Sequence, residues 1–353
     1  MKWSHLQLRD PNLDCCLVWA IESASLYNKM KIPEQIKQEL RLSVWDGTVS
    51  LRVQFDEKDR ANLPACPPQI SFDDFYGTVS RCGYFSFYLK EFVRFVLRDV
   101  LDDSGFSLSD VWLEYRGLPL KWHLPIGHLF DVFTGQEETL PDFGWNITLR
   151  YGNYPSDKLF RGFQPSSLSS SPSSDFFMAL NKESSYLRHG TAKKIMNLSK
   201  EDQMQLWDSL LSSNFEGFWS IQDKLNDYDL PPESHAAPYS EDTNFPRHVP
   251  VRLYVLDKGL GDRPLDYPLP LQNLVHPIVN EEASLEKGKC IAATLLDAVN
   301  AILSLDLDKA SCPVLSIHGI ALDPATPLLW AYLNLMYPDG FLHLILNQSK
   351  ISC

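Results

Sequence analysis

Two stretches of this chain run through the same order of features, and that order restricts its possible folds more than any single motif does. In residues 44–151, Val49, Leu51, Val53 and Phe55 alternate with polar or small residues, the period of a half-buried strand. Pro64, Pro67 and Pro68 mark a loop over 62–71. Leu89, Phe92, Val93, Val96, Leu97 and Val100 recur at helical spacing and predict a helix with one buried stripe. Val111 to Tyr115 reads as a short strand. It is followed by Gly117-Leu-Pro-Leu, Pro125, Leu129-Phe130, Pro141-Asp142 and a closing alternation of Trp145, Ile147 and Leu149. In residues 248–353, Val249, Val251, Leu253 and Val255 alternate, and Leu295, Leu296, Val299, Ile302 and Leu303 form a helix face. Val314 to Ile317 reads as a strand, then come Gly319-Ile-Ala-Leu, Pro327, Leu333 and Pro338-Asp339, and Phe341 to Leu346 closes the unit as another strand.

The repetition implies a duplicated small fold. A sheet of four to five strands curled around one helix, the β-grasp of ubiquitin, fits the element count. Between the units, residues 175–225 read as wholly helical, with Ser174 or Asp175 as N-cap and a second start at Ser199, three residues before Asp202. The run from Pro165 to Ser174 is too rich in serine to bury a core and reads as linker. The expected organisation is therefore α+β: residues 1–43 an N-terminal extension without separate function, 44–151 the first ubiquitin-like unit, 152–174 a linker. Residues 175–235 form a helix-rich domain expected to stand as a separate bundle, 236–247 a second linker, and 248–353 the second ubiquitin-like unit. Within 1–43, Leu17, Ile21 and Leu26 have loose helical spacing, and Pro33 to Leu42 could form a short helix.

The chain's 353 residues suit two or three domains. With 45 acidic against 32 basic residues, its net charge of −13 argues against a general nucleic-acid binder and against docking on anionic lipid by charge. The seven cysteines, at 15, 16, 66, 82, 290, 312 and 353, are odd in number and include no C-x-x-C pair, so neither a disulfide framework nor a zinc site is expected. No apolar run reaches the length of a membrane span.

No catalytic signature emerges. G-x-S-x-G, H-E-x-x-H, Walker and G-x-G-x-x-G patterns are all missing from the sequence. Gly259-Leu-Gly-Asp-Arg lacks the Gly-Lys-Ser end of a phosphate loop and reads as a turn. His123, His128, His318 and His343 sit beside expected strands, and structural roles suit them better than metal ligation. No cofactor and no metal are expected. The acidic pairs Asp102-Asp103, Glu137-Glu138 and Glu281-Glu282 read as solvated loops.

Val111-Trp-Leu-Glu-Tyr-Arg-Gly-Leu-Pro-Leu-Lys-Trp-His-Leu-Pro-Ile-Gly-His-Leu-Phe-Asp closely resembles the signature of the autophagy-related protein 5 family. So do Val44-Trp-Asp-Gly, Trp145-Asn-Ile-Thr-Leu, Gln205-Leu-Trp, Ile317-His-Gly-Ile, Thr326-Pro-Leu and Tyr337-Pro-Asp-Gly-Phe-Leu-His. The resemblance runs from about residue 44 to the end and implies two ubiquitin-like β-grasp domains flanking a helix-rich one. It implies a non-enzymatic scaffold whose lysine accepts the C-terminal glycine of autophagy-related protein 12 through an isopeptide bond. The conjugate pairs with the coiled-coil autophagy-related protein 16, in a groove lined by apolar side chains, and engages E2-like enzymes. It promotes transfer of autophagy-related protein 8 to phosphatidylethanolamine, an E3-like activity. By the same resemblance the protein is cytoplasmic and recruited to the preautophagosomal structure membrane through partners.

The acceptor matches Lys182, within Phe177-Met-Ala-Leu-Asn-Lys-Glu. Helical geometry agrees: Phe177, Leu180, Ser184 and Leu187 share one face, and Lys182 points about 160° from Leu180, towards solvent. An acceptor attacks as the free amine, whereas lysine is an ammonium at neutral pH, so the charged partner enzyme must help remove the proton. Lys193 and Lys194 are the nearest alternatives. Two other readings compete: a plain ubiquitin-like adaptor without conjugation, and an enzyme using a cysteine activated by a histidine. The segment 56–82 departs from the family pattern.

Overall fold

The structure is a computed structural model that describes residues 33–64, 71–98, 105–135, 143–161, 172–228, 245–256, 269–280, 290–309 and 312–347. Leu17, Ile21, Leu26, Val100, most of the Ser-rich linker, the break at 229–244, the three acidic pairs and the Gly259 loop lie outside these residues.

Helix α1 (Glu34–Trp45) starts directly after Pro33, where a proline's missing N–H costs nothing. It runs across position 43/44, at which the sequence reading begins the first domain. Leu40, Val44 and Trp45 are buried. Arg41 lies over the Trp219 ring at 3.8 Å and donates to Asp223 Oδ1 at 2.9 Å and to the Leu333 carbonyl at 2.7 Å. Residues 34–43 thus belong to the folded body and are not an appendage.

The first domain contains β1 (Thr48–Phe55), β2 (Phe75–Ser80), α2 (Phe85–Val96), β3 (Val111–Tyr115), β4 (Leu118–Pro119), α3 (Ile126–Thr134) and β5 (Trp145–Tyr151). The sheet order is β2-β1-β5-β3-β4, with β1 and β5 parallel and the other neighbours antiparallel. The alternation seen in the sequence is the burial pattern: Val49, Leu51, Val53 and Phe55 face inwards, as do Trp145, Ile147 and Leu149. Phe85, Leu89, Phe92, Val93 and Val96 of α2 close the same core. Each such side chain contributes about 1.5–3 kcal/mol by leaving water. The β3–β4 hairpin turns on Arg116 (φ 49°) and Gly117 (φ 87°), both left-handed as a two-residue primed turn requires.

The helical segment follows as α4 (Pro172–His189), α5 (Lys193–Met196), α6 (Lys200–Leu211) and α7 (Phe215–Leu225). Helix α4 begins at Pro172, ahead of the expected caps at Ser174 or Asp175. The start at Ser199 is as expected, its hydroxyl accepting from Asp202 N at 3.0 Å.

The second domain has β6 (Val251–Leu256), a small hairpin of β7 (Ile278–Asn280) and β8 (Cys290–Ala292), α8 (Leu295–Leu303), β9 (Val314–Ile317), β10 (Ile320–Leu322), α9 (Leu328–Leu335) and β11 (Leu342–Asn347). Helix α8 carries a reciprocal capping box: Asp297 N donates to Thr294 Oγ1 at 3.2 Å, and Thr294 N to Asp297 Oδ2 at 2.7 Å. The main sheet order is β10-β9-β11-β6, with β11 parallel to β6. This matches the first sheet without its second strand. In that place Leu271 and Val275 make single antiparallel bridges to Leu253 and Val249. The β9–β10 hairpin again turns on a residue–glycine pair, His318 (φ 55°) and Gly319 (φ 75°). The duplication is therefore one of topology and turn chemistry: two ubiquitin-like sheets around a helical segment.

One expectation of domain independence needs correction. The helical segment is not a separate bundle, since Phe177, Leu206, Phe218 and Ile221 share one core with Leu253, Val299, Trp330 and Leu344 of the second domain. In the second sheet, the central strand is covered on both faces. All six residues of β11 are buried, because one face packs inside its own domain and the other meets α3, where Val132 joins Tyr254, Leu256 and Ile345.

Candidate functional site

Helix α4 is where the three parts of the molecule meet. Phe177, Leu180, Asn181, Ser184, Ser185 and Arg188 are buried, while Ala179, Lys182, Glu183 and Tyr186 face solvent. Lys182 is exposed as the helical spacing predicts and makes no ion pair among the described residues.

Polar side chains anchor the buried face to the second domain. Asn181 Nδ2 donates to the Phe177 and Pro338 carbonyls at 3.0 and 3.2 Å, and Ser184 Oγ donates to the Gly340 carbonyl at 2.6 Å. Gly340 has φ 82°, and a Cβ there would sit 2.7 Å from Ser184 Oγ, so the helix lies close to this turn because the turn residue is glycine. Arg252 pairs with Glu183, the neighbour of Lys182, at 3.3 Å. Further along, Arg188 donates to Asn226 Oδ1 and to Tyr228 Oη, and its own carbonyl accepts from Arg247 N at 2.6 Å.

Aromatic contacts tie the start of α4 to the first domain. Phe176 stacks between His123 and Phe160, with ring centroids at 4.8 and 4.7 Å. Phe177 meets Tyr84 and Trp207. The backbone carrying Lys182 is therefore held from both ends, while the amine projects away. Lys193 is exposed on α5, and Lys194 lies 5.3 Å over the Tyr228 ring.

The four singled-out histidines all lie at the junction of the domains. No group of three or more His, Cys, Asp or Glu among the described residues could bind a metal ion. The His128 ring packs on Tyr254 at 4.3 Å and His343 at 4.4 Å. Tyr254 Oη lies 3.1 Å from His343 Nδ1, and His343 Nε2 lies 2.8 Å from Asp339 Oδ2. His318 Nε2 donates to the Leu335 carbonyl at 2.9 Å and stacks on Tyr337 at 3.8 Å. Both ring nitrogens of His128 are buried without a hydrogen-bond partner. Burial, followed by the positive surroundings of His343, Arg252, His318 and Arg81, pushes the His128 imidazole well below the usual histidine range. Burial and Arg81 push His318 down to about 3, and burial with Lys121 pushes His123 down to about 4. Beside them, the Arg81 guanidinium pairs with Asp131 in the interior. The same carboxylate accepts a backbone hydrogen bond from Gly319 of the second domain.

The described thiols do not suit nucleophilic chemistry. Burial pushes Cys82 up to about 12 and also raises Cys312, so the thiolate is disfavoured at both. Among the described residues, no helix is long and apolar enough to cross a membrane.

Sequence reasoning placed Lys182 correctly on an exposed helix face but missed its anchors. Asn181 and Ser184 gave a partial signal, being polar residues on the apolar face of an amphipathic helix. The pairing of His128 with His343 has no local signal at all.

Comparison with known proteins agrees with this architecture piece by piece. Three family models match in chain order: "Autophagy protein ATG5, UblA domain" over residues 44–151, "Autophagy protein ATG5, alpha-helical bundle region" over 173–227, and "Autophagy protein ATG5, UblB domain" over 248–346. Autophagy protein 5 of Arabidopsis thaliana is 28% identical over 344 residues, spanning 85% of this chain and 95% of the relative. Autophagy protein 5 of Drosophila melanogaster is 27% identical over 319 residues, spanning 89% and 98%. The crystal structure of Kluyveromyces marxianus Atg5 superposes with a TM-score of 0.61 at 25% identity, covering 88% of this chain and 99% of that one. With both ubiquitin-like domains and the helical region matched in order, the chain belongs to the autophagy protein 5 family.

Proposed function

We propose that this protein is the acceptor and scaffold of a ubiquitin-like conjugation in autophagy, with Lys182 the modified residue. The observation that carries the reading is an exposed lysine on a helix whose opposite face is fixed to all three domains. Such a helix presents an amine at a defined place, so a thioester-charged enzyme can dock on rigid surfaces and reach it. The Lys182 amine, once deprotonated, attacks the thioester carbonyl at the C-terminal glycine of autophagy-related protein 12. The C–N bond forms, the C–S bond breaks, and the carrier cysteine leaves as thiolate. The protein itself supplies the nucleophile and the docking surfaces and is not an enzyme in this reading. The conjugate, paired with autophagy-related protein 16 and engaging E2-like enzymes, promotes lipidation of autophagy-related protein 8. It works in the cytoplasm and reaches the preautophagosomal membrane through those partners.

The test is a denaturing gel of cells expressing wild type or Lys182→Arg. Arginine keeps the charge but forms no isopeptide under these conditions. The expected result is a slower band containing the ubiquitin-like partner in wild type and its loss in the variant. A band that persists moves the bond to another lysine. No band in wild type, with the activating enzymes present, favours a non-covalent adaptor.

A further inference from the structure

Strand β2 is an edge strand. Among the described residues it pairs with β1 on one side and with nothing on the other. The Ser80 N–H donates to Tyr88 Oη at 3.1 Å, so the backbone groups of Ser80 point to the open side. Strand alternation then turns the N–H and C=O groups of Thr78 and Tyr76 the same way. Such unpaired groups are a template for another strand. Beside this edge, Lys90, Glu91, Arg94 and Phe95 of α2 are exposed, and with Phe75 and Phe87, the latter half-buried against Tyr84 and Trp207, they line an open groove of about 520 Å³. Phe95 remains 45% exposed and the neighbouring Tyr76 58%.

The groove carries two cations, Lys90 and Arg94, against one carboxylate, Glu91. Lys90 and Arg94, one helical turn apart, are exposed and make no ion pair among the described residues, on a chain whose net charge is −13. Exposed aromatics next to unpaired cations suit a ligand that is apolar at some positions and acidic at others.

We propose that this groove takes an extended acidic peptide of a partner protein, added to the sheet alongside β2. Its main chain bonds the open groups of Tyr76 and Thr78, and alternate apolar side chains enter between Phe75, Phe87 and Phe95. Its carboxylates meet Lys90 and Arg94. This is strand addition with pockets for every second side chain, and it goes beyond the acceptor reading, since Lys182 has no part in it.

The test uses the full chain and fluorescent peptides of about ten residues, one alternating phenylalanine with glutamate and one alternating phenylalanine with lysine, read by anisotropy. The acidic peptide should bind saturably in the micromolar range, more weakly at high salt, and at least about tenfold more tightly than the basic one. The double variant Lys90→Glu/Arg94→Glu changes only exposed side chains and should keep the melting temperature while losing at least about tenfold in affinity. Absence of saturable binding, equal binding of the two peptides, or equal binding by the double variant overturns the proposal. Concentration-dependent self-association abolished by the double variant would assign the groove to a second copy. Adsorption to anionic vesicles abolished by it would assign the groove to a membrane. Either outcome overturns the peptide assignment.

Discussion

Acidification from pH 7.5 to about 5 should remove about 4 kcal/mol of folding stability through His128 and His318 alone, roughly 2 kcal/mol each. In the unfolded chain a histidine takes up its proton near pH 6.5. Folded, His128 stays neutral well below that, and His318 does so down to about 3. The folded state therefore binds fewer protons across this window. The stability these groups confer is intact above pH 6.5 and declines as the pH falls below it. His128 sits on α3 with Asp131 one turn on. It faces His343 from β11, Tyr254 and Arg252 from β6, His318 from the second hairpin, Tyr337 from the turn after α9, and Arg81 before α2. A proton there would enter a space that already holds two guanidinium groups. His128→Phe keeps a ring against Tyr254 and His343 but removes the titration. Urea midpoints at both pH values should show the variant losing about 2 kcal/mol less than wild type on acidification. Identical losses would contradict the burial of a neutral His128.

Arg81→Met should be the most costly single substitution at the domain junction, at about 3–5 kcal/mol. Arg81 and Asp131 are each only 8% exposed. Removing the guanidinium leaves a carboxylate whose pKa burial already raises. Its remaining bond reaches the Gly319 N–H, so the loss spreads to the second domain. Arg81→Met combined with Asp131→Leu should recover most of the stability, because a buried pair replaced by apolar groups is often near neutral. Urea midpoints of the single and double variants decide it. A single variant that loses less than about 1 kcal/mol would show that Asp131 is not buried against the second domain.

Much of this architecture was legible because its cause is local. Val49 to Phe55 and Trp145 to Leu149 alternate because one face of the first sheet is buried. The repeated residue–glycine turns at Arg116-Gly117 and His318-Gly319 mark equivalent hairpins. Helices α3 and α9 were harder to see. They follow Pro125 and Pro327 and are short and buried nearly all round, so no polar face reveals their period. The strand at β6 looked alternating from its valines, yet Arg252 and Tyr254 between them are buried as well, because α3 arrives from more than 100 residues earlier in the chain. Lys182 was legible from the helical spacing and the family motif. Its anchors at Pro338 and Gly340 were not, since those contacts close loops of 157 and 156 residues.

The central claim is that Lys182 is the residue modified. Its most direct test is mass spectrometry of the slower-migrating species after proteolysis. The account predicts a branched peptide in which the C-terminal glycine of the modifier is joined to Lys182 Nζ, with Lys193 and Lys194 unmodified. A branch at Lys193 or Lys194, with Lys182 recovered unmodified, would contradict it.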